Sequence, residues 1–409
     1  MEEAENTLKD RDHKKLGKEL GLFYIDEEVG KGLPMWLPKG ATLRRIIERF
    51  VVDEEIKRGY SHVCTPDIAK LSLYEKSGHY PYYKDSMYAP IEIDEDKFML
   101  RPMTCPHHFQ MYLSKPRSYR ELPMRIAELA KLYRYEQSGE LMGLQRTRGF
   151  CLADAHIICA DEVQAALEIE KALELIEYMA GVFGLENGKN YHFRLSLRSK
   201  ESNRNYYDDD SGWDRSEALL RDVLNKRGSD FVEAKNEAAF YGPKIDIQMK
   251  NVNGKEDTAF TVQYDLCMPK RFGLNYTAED GKERQAVVVH RSSIGAIERA
   301  VAFLIEHFAG AFPFWLSPVQ VKVLPVSEKQ FEYAKKVFDE LKSADIRAEL
   351  DDSSEGLGKK VRGAKVEKVP YWIVVGEKES SGQTVTLESR QGEKKEILLS
   401  ELTEHLKNI

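Results

Sequence analysis

Apolar residues recur along this chain with two periods, and the architecture is expected to follow them. The first strong element is ATLRRIIERFVVDEEIKRG, where Leu43, Ile46, Ile47, Phe50 and Val51 share one helical face. Gly59 stands where that helix should end. HVCTPDI follows as an extended piece. Pro66 inside it predicts an edge strand, or a strand beside a partner subunit. Asp161 precedes a long helix, EVQAALEIEKALELIEYMAGVFG, with Val163, Leu167, Leu173, Ile176 and Val182 spaced for burial. The period then drops to two in YHFRLSLRS, AAFYGPKIDIQMK, TAFTVQYDL and QAVVVHRSS. Dense strands with few helices predict a large antiparallel sheet.

The pattern changes again at FPFWLSPVQ, where Pro313 and Pro318 bracket an aromatic linker. Beyond it strands alternate with helices: VQVKVL, a helix from Ser327 to Ala344, IRAEL, a basic helix around GKKVRGAKVEK, YWIVVG, TVTLES and a last helix from Ser400. Ser327 and Gln330 form a capping-box pattern, and Phe331, Ala334, Phe338 and Leu341 make the buried face. This predicts a second, smaller α/β domain, with residues 1–313 forming the first domain and 314–409 the second.

Composition narrows the class. A chain of 409 residues, 42% hydrophobic and 32% charged, has room for a sizeable core and is not disordered. A net charge of −7 argues against a simple nucleic-acid coat protein and leaves room for a local basic surface. The five cysteines contain no CxxC pair, which argues against a four-cysteine zinc ribbon and suits a reducing compartment. MEEAENTLKDRDHKK has no apolar core and is not a signal peptide. Apolar runs such as AVAFLI fall well short of the roughly 18 residues a membrane span needs, so a cytoplasmic location is expected.

Four segments carry candidate chemistry. RPMTCPHH sets Cys105, His107 and His108 within four residues. Thiolate and imidazole are good zinc ligands, yet neighbours point in different directions and rarely fill one tetrahedron. LYRYEQSGELMGLQRTRGFCLADAH carries Arg134, Glu136, Arg146 and Arg148 around a glycine-containing loop. A hairpin there would set Arg134 and Arg146 on one sheet surface, where guanidinium forks suit phosphate oxygens. VVVHRSSIGAIERAVAFLIEHF runs from a strand with His290 through Gly295 into a helix with Arg299. A glycine at such a turn lets a ligand approach the backbone, but the spacing is not GxGxxG. AAFYGPKID places Tyr241 and Lys244 in a turn. Taken singly, each segment reads as readily as an ordinary turn, hairpin or charged face.

Together these segments resemble the threonyl-tRNA synthetases, a family of class II aminoacyl-tRNA synthetases. RPMTCPHH, PRSYRELPMRIAEL, YRYEQSGEL, RTRGF and FYGPKI carry the resemblance, which runs over nearly the whole chain. GYSHVCTPDI resembles motif 1, YRYE and RTRGF the arms of motif 2, and GAIER motif 3. The resemblance implies an α+β fold: a six- or seven-stranded antiparallel catalytic sheet flanked by helices, then a smaller α/β anticodon-binding domain with a mixed sheet. It implies activation of L-threonine with ATP and transfer to the 3′ end of tRNA(Thr).

Carried over residue by residue, the resemblance implies zinc ligands Cys105, His156 and His290, with His107 and His108 outside the coordination shell. Asp154 would hold the substrate ammonium, and Tyr241 and Gln263 would line the threonine pocket. Arg134 would bridge the α-phosphate and substrate carboxylate, Glu136 would meet the adenine amino group, and Arg146 would hold the γ-phosphate. Phe150 and Arg299 would sandwich the adenine, and magnesium would accompany ATP. Lys359, Lys360, Arg362, Lys365, Lys368 and Glu379 are the expected tRNA-contacting residues, and motif 1 the expected homodimer interface.

Ala153, Met142 and Glu388 depart from the family pattern, at positions tied to tRNA contacts rather than to activation. The segment from Pro318 carries 16 Lys and Arg against 17 Asp and Glu, a net charge of −1, so RNA binding there must come from a local patch. A chain beginning at this point is expected to lack the family's N-terminal and editing domains. It would then misactivate serine, which lacks only a methyl group worth roughly 1–3 kcal/mol, without clearing seryl-tRNA. The competing reading is a catalytically silent synthetase-like protein that binds RNA or regulates.

Overall fold

The computed structural model describes residues 10–201, 206–250 and 256–409, and the charged N-terminal stretch lies largely outside them. The chain divides into two compact units. One comprises Ile25–Pro34 and Glu48–Phe303, and the other the residues up to Tyr24, Met35–Ile47 and Leu304–Ile409.

The first unit is built on an eight-stranded sheet. Its strands are β1 (Ser61–His62), β2 (Met124–Tyr133), β3 (Gly149–Cys159), β4 (Tyr191–Leu197), β5 (Phe231–Lys235), β6 (Lys244–Lys250), β7 (Glu256–Asp265) and β8 (Val287–Ala296). They lie in the order β5-β4-β6-β7-β8-β3-β2-β1. The five inner pairings are antiparallel, and the outermost pairing at each edge is parallel. The sheet thus has eight strands where the resemblance implied six or seven. HVCTPDI contributes His62 to the two-residue edge strand β1 and Ile68 to the start of a separate short strand, with Pro66, which cannot extend the ladder, between them.

Helix α1 (Pro38–Lys57) buries Leu43, Ile47 and Val51 completely, and Gly59, at φ +79°, follows its end. Helix α2 (Cys105–Tyr112) opens with Cys105, then Pro106, where a missing N–H costs nothing. Helix α3 (Glu162–Val182) is capped by Asp161, whose side chain accepts from the Gln164 N–H at 2.8 Å. It lies against β8, β7 and β3.

The apolar face of α3 differs from the expected one. Ala165, Ile169, Ala172, Leu173, Ile176 and Met179 are buried, while Val163 is 71% and Leu167 52% exposed. The small alanines let the helix sit close to the sheet, which turns Val163 and Leu167 toward helix α4 (Asp210–Arg227), where Ala218 and Leu219 line the same shallow groove. Helix α4 is not among the elements the sequence pattern predicts. Asp209 caps it, and Gly228 in the left-handed region ends it.

The unit's sheet leads at β8 into helix α5 (Ile297–His307), which runs on into the second unit's segment. There β9 (Val321–Pro325), β10 (Ala348–Leu350), β11 (Tyr371–Val375), β12 (Thr384–Ser389) and β13 (Lys394–Leu398) form a mixed sheet in the order β10-β9-β11-β12-β13. The first two pairings are parallel and the last two antiparallel.

Helices α6 (Phe331–Ser343) and α8 (Leu399–Lys407) enclose one core with Val321, Val323, Ile373 and Val375. Helix α7 (Leu357–Val366) contributes Ala364 to a second cluster with Leu324 and Trp372, the alternate residues of β9 and β11. Strand β13 is not legible as a strand because its charged run leaves one buried residue, Ile397. The expected capping box does not form. The Ser327 hydroxyl donates to Gln330 Oε1 at 2.7 Å, a single 3-10 turn follows, and α6 begins at Phe331.

Candidate active site

The site is built on one face of β7, β8 and β3. Antiparallel pairing sets Gln263 opposite His290 and His290 opposite His156, so three adjacent strands contribute one row. One step along, Thr261, Ser292, Asp154 and Glu128 form the next row across four strands. Strand alternation selects the participants. Phe150, Leu152, Asp154 and His156 line a cavity of about 270 Å³, while their odd-numbered neighbours turn to the opposite face. By the same alternation Arg291 reaches Glu55 on α1, at the other side of the sheet.

Cys105 enters the cavity from the first turn of α2. Its sulfur and one nitrogen each of His156 and His290 lie within 4.8 Å of one another, all buried. The other nitrogens are engaged. His290 Nε2 lies 2.6 Å from Asp265 Oδ2, and Asp265 Oδ1 accepts the N–H groups of Cys267 and Met268, both at 2.9 Å. His156 Nδ1 lies 2.8 Å from His108 Nδ1. This leaves His290 Nδ1 and His156 Nε2 to meet one ion beside the Cys105 sulfur.

Burial pushes the Cys105 thiol well up and the His156 imidazole well down, so both are neutral without a cation between them. One sulfur and two imidazoles, each imidazole held through its far nitrogen, fit a zinc site with open positions. The local grouping of Cys105 with His107 and His108 does not occur. His107 has no hydrogen-bond partner for either ring nitrogen among the described residues.

The cavity also gathers the expected nucleotide residues Arg134, Glu136, Arg146, Phe150 and Arg299. Arg134 and Arg146 do not stand on a sheet surface, as a simple hairpin would have placed them. Both lie in the connection beyond the paired strands, and the Arg134 N–H donates to the Arg148 carbonyl at 3.0 Å. Arg134 Nε donates to the Pro102 carbonyl at 3.3 Å, and its guanidinium lies 5.2 Å over the Phe150 ring. Arg146 Nε lies 3.3 Å from Glu136 Oε2. Arg299 donates to the carbonyls of Gln145 at 3.1 Å and Thr258 at 2.7 Å.

Burial pushes the Arg134 and Arg299 guanidinium groups down, and Arg134 and Arg146 add to this at Arg299. Three gathered guanidinium groups favour a polyanionic ligand. Gly295 has φ +69°, and a Cβ there would lie 2.1 Å from the Ala259 carbonyl oxygen, so this turn needs glycine.

At the other end of the cavity, burial pushes the Asp154 carboxyl up. The Tyr241 hydroxyl donates to Gln263 Oε1 at 2.5 Å, and Gln263 Nε2 donates to Thr261 Oγ1 at 3.2 Å. His79 is a further residue of this site that the motifs do not single out. It is fully buried, with Nε2 3.9 Å from the Cys105 sulfur. Its only sequence signal is the stretch GHY.

In the second unit the basic helix divides by face. Lys359, Arg362 and Lys365 are exposed, whereas Lys360 is buried and donates to the Asp351 carbonyl at 3.1 Å. Lys360 is therefore removed from the RNA-facing set: its position on α7 points it into the domain. Lys368 Nζ donates to the Ala309 carbonyl at 2.5 Å. Both Glu379 oxygens are used within the domain, by the Gly376 N–H and the Thr386 hydroxyl, each at 2.8 Å. Glu388, at a position expected to hold arginine, is buried and pairs with Lys394 at 3.0 Å.

A largely antiparallel sheet carrying this cavity, followed by a mixed-sheet domain, defines a class II aminoacyl-tRNA synthetase core with an anticodon-binding domain. The family model for the tRNA synthetase class II core domain (G, H, P, S and T) matches residues 88–308, and that for the anticodon-binding domain matches 320–409. A threonine–tRNA ligase of Geobacillus kaustophilus is 50% identical over 395 residues, covering 96% of this chain and 59% of that protein. Threonine–tRNA ligase 1 of Bacillus subtilis is 48% identical over 388 residues, covering 95% and 59%.

A solved structure, described as the RNA binding domain of threonyl-tRNA synthetase from Cryptosporidium parvum, superposes with a TM-score of 0.91. It is 36% identical and covers 97% of this chain and 98% of that one. The chain belongs to the threonyl-tRNA synthetase family. It spans about three fifths of the length of the curated relatives it matches. Among the described residues no helix is long and apolar enough to cross a membrane.

Proposed function

We propose that this chain has threonine–tRNA ligase activity: it activates L-threonine with ATP and transfers the threonyl group to the 3′ end of tRNA(Thr). The convergence of Cys105, His156 and His290 on the same cavity as Arg134, Arg146 and Arg299 carries this reading.

Cys105, His156 and His290 would hold zinc, which supplies a Lewis acid that both the amino and hydroxyl groups of threonine can satisfy. Valine has the shape of threonine but no hydroxyl, so these ligands favour threonine where an apolar pocket could not. Asp154 balances the substrate ammonium, and the Tyr241–Gln263 pair offers polar contacts beside it. Arg134 spans the substrate carboxylate and the α-phosphate. Glu136 accepts from the adenine amino group, Phe150 and Arg299 hold the ring between them, and Arg146 takes the γ-phosphate, with magnesium on the phosphates.

No protein base is needed. A carboxylate oxygen of threonine attacks the α-phosphorus, the bond to pyrophosphate breaks, and threonyl-adenylate forms. The terminal ribose hydroxyl of the tRNA then attacks the adenylate carbonyl and AMP leaves. The arginines contribute by alignment and by balancing charge.

The second domain, taken as residues 314–409 beside a catalytic domain of 1–313, would contact tRNA through Lys359, Arg362 and Lys365, with Lys368 and Glu379 near the anticodon. The exposure of the first three on one helix supports this. Pairing of two chains through the motif 1 edge is supported by the short outermost strand β1. Cytoplasmic residence is supported by five cysteines that form no disulfide.

The test is threonine-dependent exchange of labelled pyrophosphate into ATP, with and without zinc removal. Exchange that is lost with the metal and restored by zinc is expected. No exchange with any amino acid would favour the silent protein, and exchange untouched by thorough zinc removal would refute the metal assignment.

A further inference from the structure

Behind His156 runs a continuous chain of buried hydrogen bonds that the proposed reaction does not use. His156 Nδ1 lies 2.8 Å from His108 Nδ1, and His108 Nε2 lies 3.2 Å from Glu128 Oε2. Glu128 is held in turn by the Thr65 N–H at 3.0 Å, the Thr65 hydroxyl at 2.7 Å, and both terminal nitrogens of Arg101 at 3.2 Å. His156, His108, Glu128 and Arg101 are each at most 3% exposed. Such a network is worth having only if every member is satisfied, and here each link has a partner.

The chain has a direction. A carboxylate among these donors and a guanidinium only accepts, so a neutral His108 places its proton on Nε2 and offers a bare Nδ1 to His156. His156 must then carry its own proton on Nδ1, which leaves Nε2 bare. A metal requires that nitrogen in that state. The ligand's proton pattern is thus set two residues away, at the Arg101–Glu128 pair. His290 obtains the same result from one carboxylate, Asp265. Glu128 stands one row along the sheet, beside Asp154, and a second histidine bridges the distance.

We propose that His108 and Glu128 are positioning residues for the metal ligand His156: anchored by Arg101 and Thr65, they fix its ring as the Nδ1–H tautomer and leave Nε2 free to coordinate beside Cys105 and His290. This rests on the metal reading above. It also ties the donor cluster, through Thr65, to the segment after β1, so movement of that edge would be felt at the ligand.

The experiment measures zinc affinity of the metal-free 409-residue chain by competition with a chromophoric chelator, together with the visible spectrum of the Co²⁺-loaded protein. Wild type should bind one zinc, and Cys105→Ser should lose it. His108→Phe should weaken zinc binding about 10–100-fold and alter the Co²⁺ spectrum. His108→Gln, whose amide both accepts and donates, should recover most of that loss. Nitrogen-15 spectra of zinc-loaded wild type should show the His156 proton on Nδ1, a readout that needs no variant and holds even where His108→Phe does not fold.

Zinc binding and Co²⁺ spectra alike in wild type and His108→Phe, with Cys105→Ser deficient, would overturn the positioning role alone. A His156 proton on Nε2 would do the same. Absence of zinc binding by wild type would overturn the metal reading, and this one with it.

Discussion

Glu55 and Arg291 join α1 to the far face of the catalytic sheet through an ion pair sealed from solvent, their side chains 1% and 0% exposed. Arg291 Nη1 donates to Glu55 Oε1 at 2.5 Å, and the Ser293 hydroxyl donates to the same oxygen at 2.7 Å. His62 Nε2 lies 2.8 Å from the other oxygen, and the Tyr60 ring sits 4.1 Å under the guanidinium. Burial alone would push the Glu55 carboxyl up. The Arg291 charge and the hydrogen bonds from His62, Arg291 and Ser293 outweigh it and hold the group at about 2, against an ordinary 4.5.

The folded value lies below the unfolded one. The contribution to stability is therefore complete above about 4.5 and is lost as pH falls toward about 2. At about 1.4 kcal/mol per pH unit, the difference corresponds to about 3 kcal/mol. Glu55→Gln keeps the shape but strands a buried cation, and breaking a buried pair in this way costs about 3–5 kcal/mol.

We expect Glu55→Gln to lower the unfolding free energy of the catalytic unit by about 3 kcal/mol at neutral pH. The gap from wild type should close as acid removes the same charge from the parent. Urea unfolding followed by circular dichroism across that pH range measures both. A loss under about 1 kcal/mol, or a gap that does not change with pH, would refute the reasoning.

Three further outcomes follow from the site. Gly295→Ala forces a left-handed backbone costing about 1–2 kcal/mol and sets a methyl 2.1 Å from the Ala259 carbonyl oxygen. Its melting temperature and exchange activity should both fall, and an unchanged melt would contradict the geometry. Asp154→Asn should raise the threonine KM by about 10–100-fold, since it removes a charge-assisted hydrogen bond, while the ATP KM stays put; equal effects on both would argue that Asp154 shapes the whole cavity. Replacing Lys359, Arg362 and Lys365 with alanine should weaken tRNA binding and make it less sensitive to salt. The logarithmic slope should flatten by about 0.7–0.9 for each phosphate no longer neutralised. Pyrophosphate exchange should be untouched, since these residues lie in the second domain.

The legible parts of this protein were those where one local rule dominates. Period-two runs located β4, β6, β7 and β8, and the face of α1 emerged with Leu43, Ile47 and Val51 fully buried. Local rules failed where a neighbour decides. Val163 and Leu167 satisfy the helical period yet lie exposed, because small residues on another face of α3 pack more closely against the sheet. Lys360 reads as part of a basic cluster, but its place on α7 turns it inward.

The sequence by itself determined β4, β6, β7 and β8, the change of pattern after them and, through its motifs, the family. The row order of the sheet belongs to the tertiary structure. Cys105, His156 and His290 are far apart in the chain and no period relates them. They become one donor set because antiparallel pairing puts His156 opposite His290, and α2 delivers Cys105 to the same point. Adjacent His107 and His108 are separated by the same cause: a helix points consecutive side chains in different directions. One reaches Glu128 and His156, and the other is buried with no hydrogen bond to its ring nitrogens among the described residues.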